Sequence, residues 1–365
     1  MLQILNISHL TFFFQKKFDL ARFHKELISW YMLNKRELPW RLTKDPYLIW
    51  LSEIILQQTR ISQGLSYYNS FSSAYPNVNS LADANQKDVL NMWRGLGYYS
   101  RAINLHNTAK LIKSNYDGVF PNRYEDIIKL KGVGDYTASA VASFAFDLPH
   151  AVLDGNVFRF LSRIFDISEP INSTNGKKQF GLLSKELLYK KDPATYNQAI
   201  MEFGALNCKP VNPVCNTCVL SFTCLSFKNN NVNERPVKIK KIKIKKRFFL
   251  FFINIEKGFV TIEQRTKKDI WKNLYQFPMI EFSDKEAFEF AIKKHKKNNL
   301  NLSERITHKL THQKIESVFI VSHDRMQPVL KNQKKIKINN LSEFPMPRLL
   351  DVFLENNKEK IIGIN

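Results

Sequence analysis

The sequence predicts two parts: a mainly α N-terminal part made of two helical subdomains, and a smaller α+β domain at the C-terminal end. Three observations carry this. From residue 19 to residue 206, apolar residues recur at three- and four-residue steps between cap residues and glycine turns, as short amphipathic helices require. Within that run, Leu130-Lys131-Gly132-Val133-Gly134-Asp135-Tyr136-Thr137-Ala138 reads as two helices joined by a hairpin with glycine at both ends of its turn. Beyond residue 229 the composition turns Asn-rich and then alternates Lys with Ile, and the apolar spacing that follows is that of strands.

A chain of 365 residues has room for two hydrophobic cores. Its 55 Lys and Arg against 33 Asp and Glu leave a net charge of +22, which suits a polyanionic partner such as nucleic acid. A chain this rich in Lys, Ile, Asn and Phe can also reflect a biased genome, so charge permits nucleic acid without demanding it. All four cysteines fall within seventeen residues, which argues against a secreted disulfide framework and for a cytoplasmic chain. Leu10-Thr11-Phe12-Phe13-Phe14 is too short for a signal peptide and lacks a basic leader. No run approaches the roughly 20 apolar residues of a membrane span.

Taken in order, Asp19 caps a helix whose Leu20, Phe23, Leu27 and Tyr31 form one buried stripe. Pro39 ends the helical pattern. Arg36-Glu37-Leu38-Pro39-Trp40-Arg41 is then an exit loop that either offers two guanidiniums and an indole to a surface or uses Trp40 as a core plug. Asp45-Pro46 opens a second helix through Tyr47 to Thr59, in whose body Glu53 is the one charge. A carboxyl buried there would stay protonated near neutrality and serve as a general acid; at the helix edge it would simply face water. Asn85, with Asp88 three residues on, starts a helix through Val89, Leu90, Met92 and Trp93 to Gly95. Gly95-Leu96-Gly97-Tyr98-Tyr99 next frees the backbone beside two tyrosines, as an aromatic wedge for stacked bases or as cover for the helix through Ile103, Leu105 and Leu111.

In the hairpin, Gly132 and Gly134 let successive N–H groups point outward as a phosphate site at a helix N-terminus. Thr137 to Phe146 is rich in Ala and Ser and can pack closely against other helices. Val152-Leu153-Asp154-Gly155-Asn156 places a carboxylate at the mouth of the following helix, as a cap, a reacting group or both. Further helices run through Phe158, Leu161 and Ile164 and through Phe180, Leu183 and Leu187. The cysteines Cys208, Cys215, Cys218 and Cys224 are separated by six, two and five residues. Four thiolates so close point to a metal centre. Structural zinc usually shows two separated C-x-x-C-like knuckles and this cluster has one, so an iron–sulfur cluster is favoured over zinc. Phe248 to Ile255 and Gly258 to Glu263 read as paired strands, and a Lys-rich helix is expected near Ala287 to Lys297.

In their order, Leu38-Pro39-Trp40-Arg41, Leu51-Ser52-Glu53, Leu56-Gln57-Gln58-Thr59, Gly95 to Tyr99, the hairpin, Leu153-Asp154-Gly155-Asn156 and the cysteine spacing resemble one family. It is the MutY-type adenine DNA glycosylases of the helix-hairpin-helix, iron–sulfur superfamily, and the likeness runs from about Phe18 to Leu350. The resemblance implies an extension over 1–17, a helix-hairpin-helix glycosylase domain with a 4Fe-4S cluster over 18–228, and a linker over 229–246. It further implies a Nudix-like, MutT-like lesion-recognition domain over 247–352 and a tail over 353–365. It implies a monomer in base excision repair, nucleoid-associated in the cytoplasm, that acts on double-stranded DNA containing adenine opposite 8-oxoguanine or guanine.

By the same resemblance, Glu53 protonates adenine and Asp154 attacks the sugar carbon, with Tyr136 and Asn156 positioning it, in a retaining reaction. Relatives of the endonuclease III type carry a nucleophilic lysine where Tyr136 stands, so a monofunctional enzyme is implied. A lyase of that type and a mismatch-binding protein without catalysis are the alternatives. Gln58 and Tyr98 resemble the family's wedge residues, and Arg36, Leu38, Trp40 and Ile61 its adenine pocket. Lys309-Leu310-Thr311-His312 resembles the loop that reads 8-oxoguanine, with Leu310 in place of the usual aromatic; Thr311 and His312 could also be plain strand-edge polar residues. Lys272-Asn273 stands where relatives often have glycines. The acidic R-E-x-x-E-E box of Nudix hydrolases is absent, so pyrophosphate hydrolysis is not expected.

Overall fold

Asp19 accepts the Arg22 N–H at 2.9 Å and so starts helix α1, Leu20–Asn34, in a computed structural model that describes residues 18–239, 244–297, 301–322, 333–357 and 361. The extension expected over residues 1–17 lies outside the described residues. By packing, the chain divides into two units. Among the described residues, one comprises 18–62, 72–82 and 108–239; the other comprises 63–71, 83–107 and those from 244 onward.

The first unit is helical. After α1, a 3-10 turn at Pro39–Arg41 leads to α2, Pro46–Leu56, capped by Asp45 with proline at its first turn. The expected helix to Thr59 stops at Leu56 because Gln57 leaves the helix with ψ 112° and Gln58 then takes a left-handed φ of 55°. Next in chain order are α3 Ile61–Ala74, α4 Val78–Asp83, α5 Gln86–Met92 and α6 Ser100–Asn115, of which α5, residues 63–71 of α3 and residues 100–107 of α6 belong to the second unit. The hairpin joins α7, Tyr124–Ile127, to α8, Asp135–Phe146. Ala138, Ala140, Val141 and Ala142 are fully buried on α8, and their small size lets it pack against α2, α7 and α11, Pro193–Leu206. Between α8 and α11 come α9, Gly155–Ile164, and α10, Thr174–Glu186; α12 is the short Leu225–Lys228.

The segment 229–239, expected as part of a linker, is tied to the first unit: the Ile171 N–H donates to the Val237 carbonyl at 3.1 Å, and Asn172 exchanges two hydrogen bonds with the Ile239 backbone. The remaining linker residues include 240–243, which lie outside the described residues.

The second unit is built on β1, Lys245–Glu256. It forms a hairpin with β2, Phe259–Gln264, pairing Ile255 with Val260 across a turn of Lys257 and Gly258, both at positive φ. The other strands are β3 Tyr275–Gln276, β4 Met279–Phe282, β5 Asn301–Leu302, β6 Ile306–Lys309, β7 Gln313–Ser322 and β8 Gln333–Lys337. Strand β1 runs parallel to β7, Leu250 opposite Val318, and antiparallel to β4. Alternation along β1 sends Phe249, Phe251 and Ile253 to a core with Phe319, Leu349 and Phe353, and Phe248 and Leu250 to the opposite face with Phe288 of α13, Lys285–Lys297. Both faces are covered, which is why β1 reads as a continuous apolar run.

Helix α14, Arg348–Asn356, continues past residue 352, where the sequence reading ended the domain. Phe353 stacks on Phe319 with ring centroids 3.8 Å apart, so these residues belong to the core rather than to a tail. Residues 83–107 also pack here: Asn91 donates to the Glu343 carbonyl at 2.7 Å, Tyr99 to the Met346 carbonyl at 3.2 Å, and Arg94 pairs with buried Asp351. Among the described residues no helix is long and apolar enough to cross a membrane.

Candidate active site

Glu53 stands midway along α2, a helix with Trp50, Leu51 and Ile55 fully buried around it, and is itself 6 % exposed. Burial drives its pKa up to about 7. A hydrogen bond with the Tyr136 side chain and the charge of Arg41 oppose that rise, and the Asp154 carboxyl adds to it. Tyr136, in the first turn of α8, is held well above its ordinary value by burial and then by the charges of Glu53 and Asp154. Asp154 is raised by burial too, against the hydrogen bonds it accepts. Its Oδ1 accepts the Val157 N–H at 2.7 Å, which makes it the N-cap of α9, and its Oδ2 accepts from the Asn156 side chain at 2.7 Å. Cap and reacting group are therefore compatible roles. Glu53, Tyr136, Asp154 and Asn156, more than a hundred residues apart from end to end, form one cluster: an acid half-protonated at neutrality beside a carboxyl held by two donors.

What delivers Asp154 was not visible in its own stretch. Buried Asn197 of α11 accepts the Val152 N–H at 3.1 Å and donates to the His150 carbonyl at 2.8 Å, so it fixes the loop leading to Asp154. Gly204, in the last turn of α11, lies so close that a Cβ would come within 2.9 Å of the Asn156 carbonyl oxygen. Arg159 continues the chain of bonds. Its guanidinium donates to Asn156 Oδ1 at 3.0 Å, to the Gly204 carbonyl at 2.5 Å and to the Cys208 carbonyl at 2.8 Å.

The exit loop proves to be part of an ion-pair network. Buried Glu202 accepts from Arg36 Nε at 2.8 Å and Nη2 at 2.5 Å, and from Arg41 Nη1 at 3.0 Å and Nη2 at 2.8 Å. Burial alone would raise the Glu202 pKa, but the hydrogen bonds from both arginines bring it down to about 2. Leu38 and Trp40 are both buried. Glu202 went unread in the sequence, although its signal was the same as that of Glu53, a lone acid in an apolar helix.

Ile61 begins α3, and exposed Gln58 just before it has positive φ. In the hairpin only Gly132 needs its glycine for conformation, with φ 84°. Gly134 has an ordinary φ, and a Cβ on it would meet nothing within 4 Å, which leaves the turn open to an approaching group.

In the second unit, Gly95, Gly97 and Tyr98 all have positive φ and present the Tyr98 ring half-exposed. The Tyr98 hydroxyl shares a hydrogen bond with the Thr311 hydroxyl, so two residues singled out separately in the sequence meet. Thr311 and His312 form the exposed turn between β6 and β7, and Leu310 packs on the larger core. Asn273, at one of the expected glycine positions, and Trp271, just before them, have φ of 68° and 62°, which is where a glycine would be at ease.

Cys208, Cys215, Cys218 and Cys224 are free and line a single cavity with Phe160, Arg163, Phe203, Phe227 and Val232. Among the described residues no three His, Cys, Asp or Glu stand as a ready-made metal-binding group. The donor set nevertheless suits a four-thiolate centre. All four cysteines line the same partly open cavity, and Arg163 Nη1 donates to Cys208 Sγ at 3.4 Å, a cation placed where thiolate charge would gather.

Residues 51–184 match the model of the HhH-GPD superfamily base excision DNA repair proteins, and residues 250–356 that of the NUDIX domain. The chain is 37% identical over 293 residues to the adenine DNA glycosylase of Buchnera aphidicola subsp. Baizongia pistaciae, covering 80% of this chain and 83% of that one. It is 34% identical over 345 residues to the enzyme of the same name from Buchnera aphidicola subsp. Schizaphis graminum, covering 91% and 98%. Among solved structures, a thermostable thymine-DNA glycosylase superposes with a TM-score of 0.54 at 27% identity, over 57% of this chain and 97% of that one.

Proposed function

This chain belongs to the adenine DNA glycosylase family, and on that premise we propose that it removes adenine opposite 8-oxoguanine or guanine from double-stranded DNA by hydrolysing the N-glycosidic bond. The observation that carries the reading is the cluster of Glu53, Tyr136 and Asp154, with Glu53 poised at about 7. A base excised as a neutral purine needs a proton at the moment the bond breaks. Protonated Glu53 gives that proton to a ring nitrogen of adenine, and the positive charge that develops on the sugar is met by the Asp154 carboxylate. Asp154 then bonds to the anomeric carbon. Glu53, now ionised, takes a proton from water, which displaces Asp154 and restores the original configuration. Tyr136 and Asn156 hold the two carboxyls in register.

The enzyme is read as monofunctional because Tyr136 offers no amine for a Schiff base. The net charge of +22 and the open hairpin at Gly134 support contact with DNA phosphates, while Gln58 and Tyr98 would fill the space of the extruded adenine. Thr311 and His312 would face the opposite base. Cys208, Cys215, Cys218 and Cys224 would hold a 4Fe-4S cluster whose contribution is to order the loop around Lys209. The protein is then a monomer working on the nucleoid in the cytoplasm, with residues 18–228 catalytic and the domain from residue 247 through helix α14 lesion-reading.

Single-turnover release of adenine from a duplex with one adenine opposite 8-oxoguanine tests this, with Glu53→Gln and Asp154→Asn alongside. Both variants are expected to bind the duplex and release no adenine. Full activity in either, or a protein–DNA adduct trapped by borohydride, would overturn the assignment.

A further inference from the structure

We propose that Asp166, just beyond α9, is a positioning residue that straps Asn229–Arg235 against the cysteine cavity, so that this strap governs metal loss and thiol exposure there. The inference rests on the reading of the four cysteines as metal ligands. Val232 of this segment and Phe227 just before it are part of the wall of a cavity whose cysteines are partly buried, so a lifted strap opens that cavity further. Three side chains of the segment converge on one carboxylate. Asn229 donates to Asp166 Oδ2 at 2.8 Å, Asn231 to both oxygens at 2.9 Å, and Arg235 Nη2 to Oδ1 at 2.9 Å. From the other side Arg163, buried in the cavity wall, donates to the Val232 and Arg235 carbonyls at 3.0 and 3.2 Å and to the Lys209 carbonyl at 2.7 Å. One guanidinium thus holds the strap and the loop after Cys208 together.

Asp166 has a left-handed φ of 48°. Asparagine tolerates that backbone, so Asp166→Asn removes the charge and part of the acceptor capacity without imposing strain. Asn229→Ala combined with Asn231→Ala removes the donors instead and stands in if the first variant fails to fold.

Two rates are read on the full chain. The first is metal release from the purified protein to a strong chelator, followed by loss of visible absorbance for iron or by a colorimetric zinc dye. The second is maleimide labelling of the cysteines after metal removal. Both rates are expected to rise roughly tenfold in each variant, as loss of charge-assisted hydrogen bonds predicts. Asp192→Ala, which removes the cap accepting the Thr195 N–H at 3.0 Å at the far end of α11 and so loosens the same unit away from the strap, is expected to leave both unchanged. Wild-type rates in the strap variants, or an equal rise in Asp192→Ala, overturn the proposal. Wild-type protein that carries neither iron nor zinc defeats the cofactor reading instead, and the labelling arm then decides the strap alone.

Discussion

Replacing Tyr136 by Phe isolates the group that sets the working pH. Glu53 has a pKa of about 7 because burial raises it, while the hydrogen bond with Tyr136 is the largest influence pulling it back down. A hydrogen bond to a charged group contributes about 1.5–3 kcal/mol, and one pKa unit corresponds to about 1.4 kcal/mol. Losing the Tyr136 hydroxyl therefore moves Glu53 upward by roughly one to two units. A general acid works while protonated, so the wild-type excision rate is expected to fall tenfold per pH unit above about 7. In Tyr136→Phe that fall begins near pH 8 to 9, whatever happens to the height of the plateau. The acid-side limb, set by ionisation of Asp154, is expected to stay in place because Asp154 accepts from Val157 and Asn156. The assay is single-turnover adenine release from pH 5 to 10. An alkaline limb that stays at 7 or moves down refutes the assignment of Glu53 as the acid and of Tyr136 as the group that tunes it.

The same burial makes Glu53 a burden on stability. Its folded pKa lies above its unfolded one, so the unfolded state binds fewer protons between about 4.5 and 7, and stability falls as pH rises across that window. By urea unfolding, Glu53→Gln is expected to escape a loss of about 3 kcal/mol over that window that the wild type suffers; parallel curves would refute this. Glu202 behaves in the opposite sense. Its depressed pKa of about 2 gives stability that is present above about 4.5 and fades as pH falls toward 2. Glu202→Gln, which strips two guanidiniums of their counter-charge, is expected to cost about 3 kcal/mol at pH 7 and less at pH 3. Gly204→Ala pushes a methyl into the backbone of Asn156 and is expected to slow excision roughly tenfold to hundredfold while DNA binding persists. Asn273→Ala is expected to lose about 1 kcal/mol in a urea titration, and Asn273→Gly is expected not to, because φ is 68° there.

Much of the helical part was readable because its signals are local. Asp19, Asp45, Asn85 and Asp154 each accept a backbone N–H two or three residues ahead, so a cap can be recognised within one turn of chain. Glu53 stood out as one charge in an apolar helix, and that helix is buried nearly all round. Where the reading ran past the true ends, the reason was also physical. The helix expected to reach Thr59 stops at Leu56 as Gln57 leaves helical ψ and Gln58 turns left-handed, and residues 353–356, expected at the start of a tail, are the second half of a helix docked by Phe353.

Short-range order thus determined the helices, the hairpin, the strand alternation of β1 and the four closely spaced thiols, since each depends on residues within a few positions of one another. Long-range closure decided the rest. Arg36 finds Glu202 across 166 residues, Asn197 reaches back 45 to hold Val152, and Thr311 meets Tyr98 across 213. No periodicity encodes such pairs. They exist because buried polar groups must find partners wherever packing leaves them, and packing is a property of the whole folded unit.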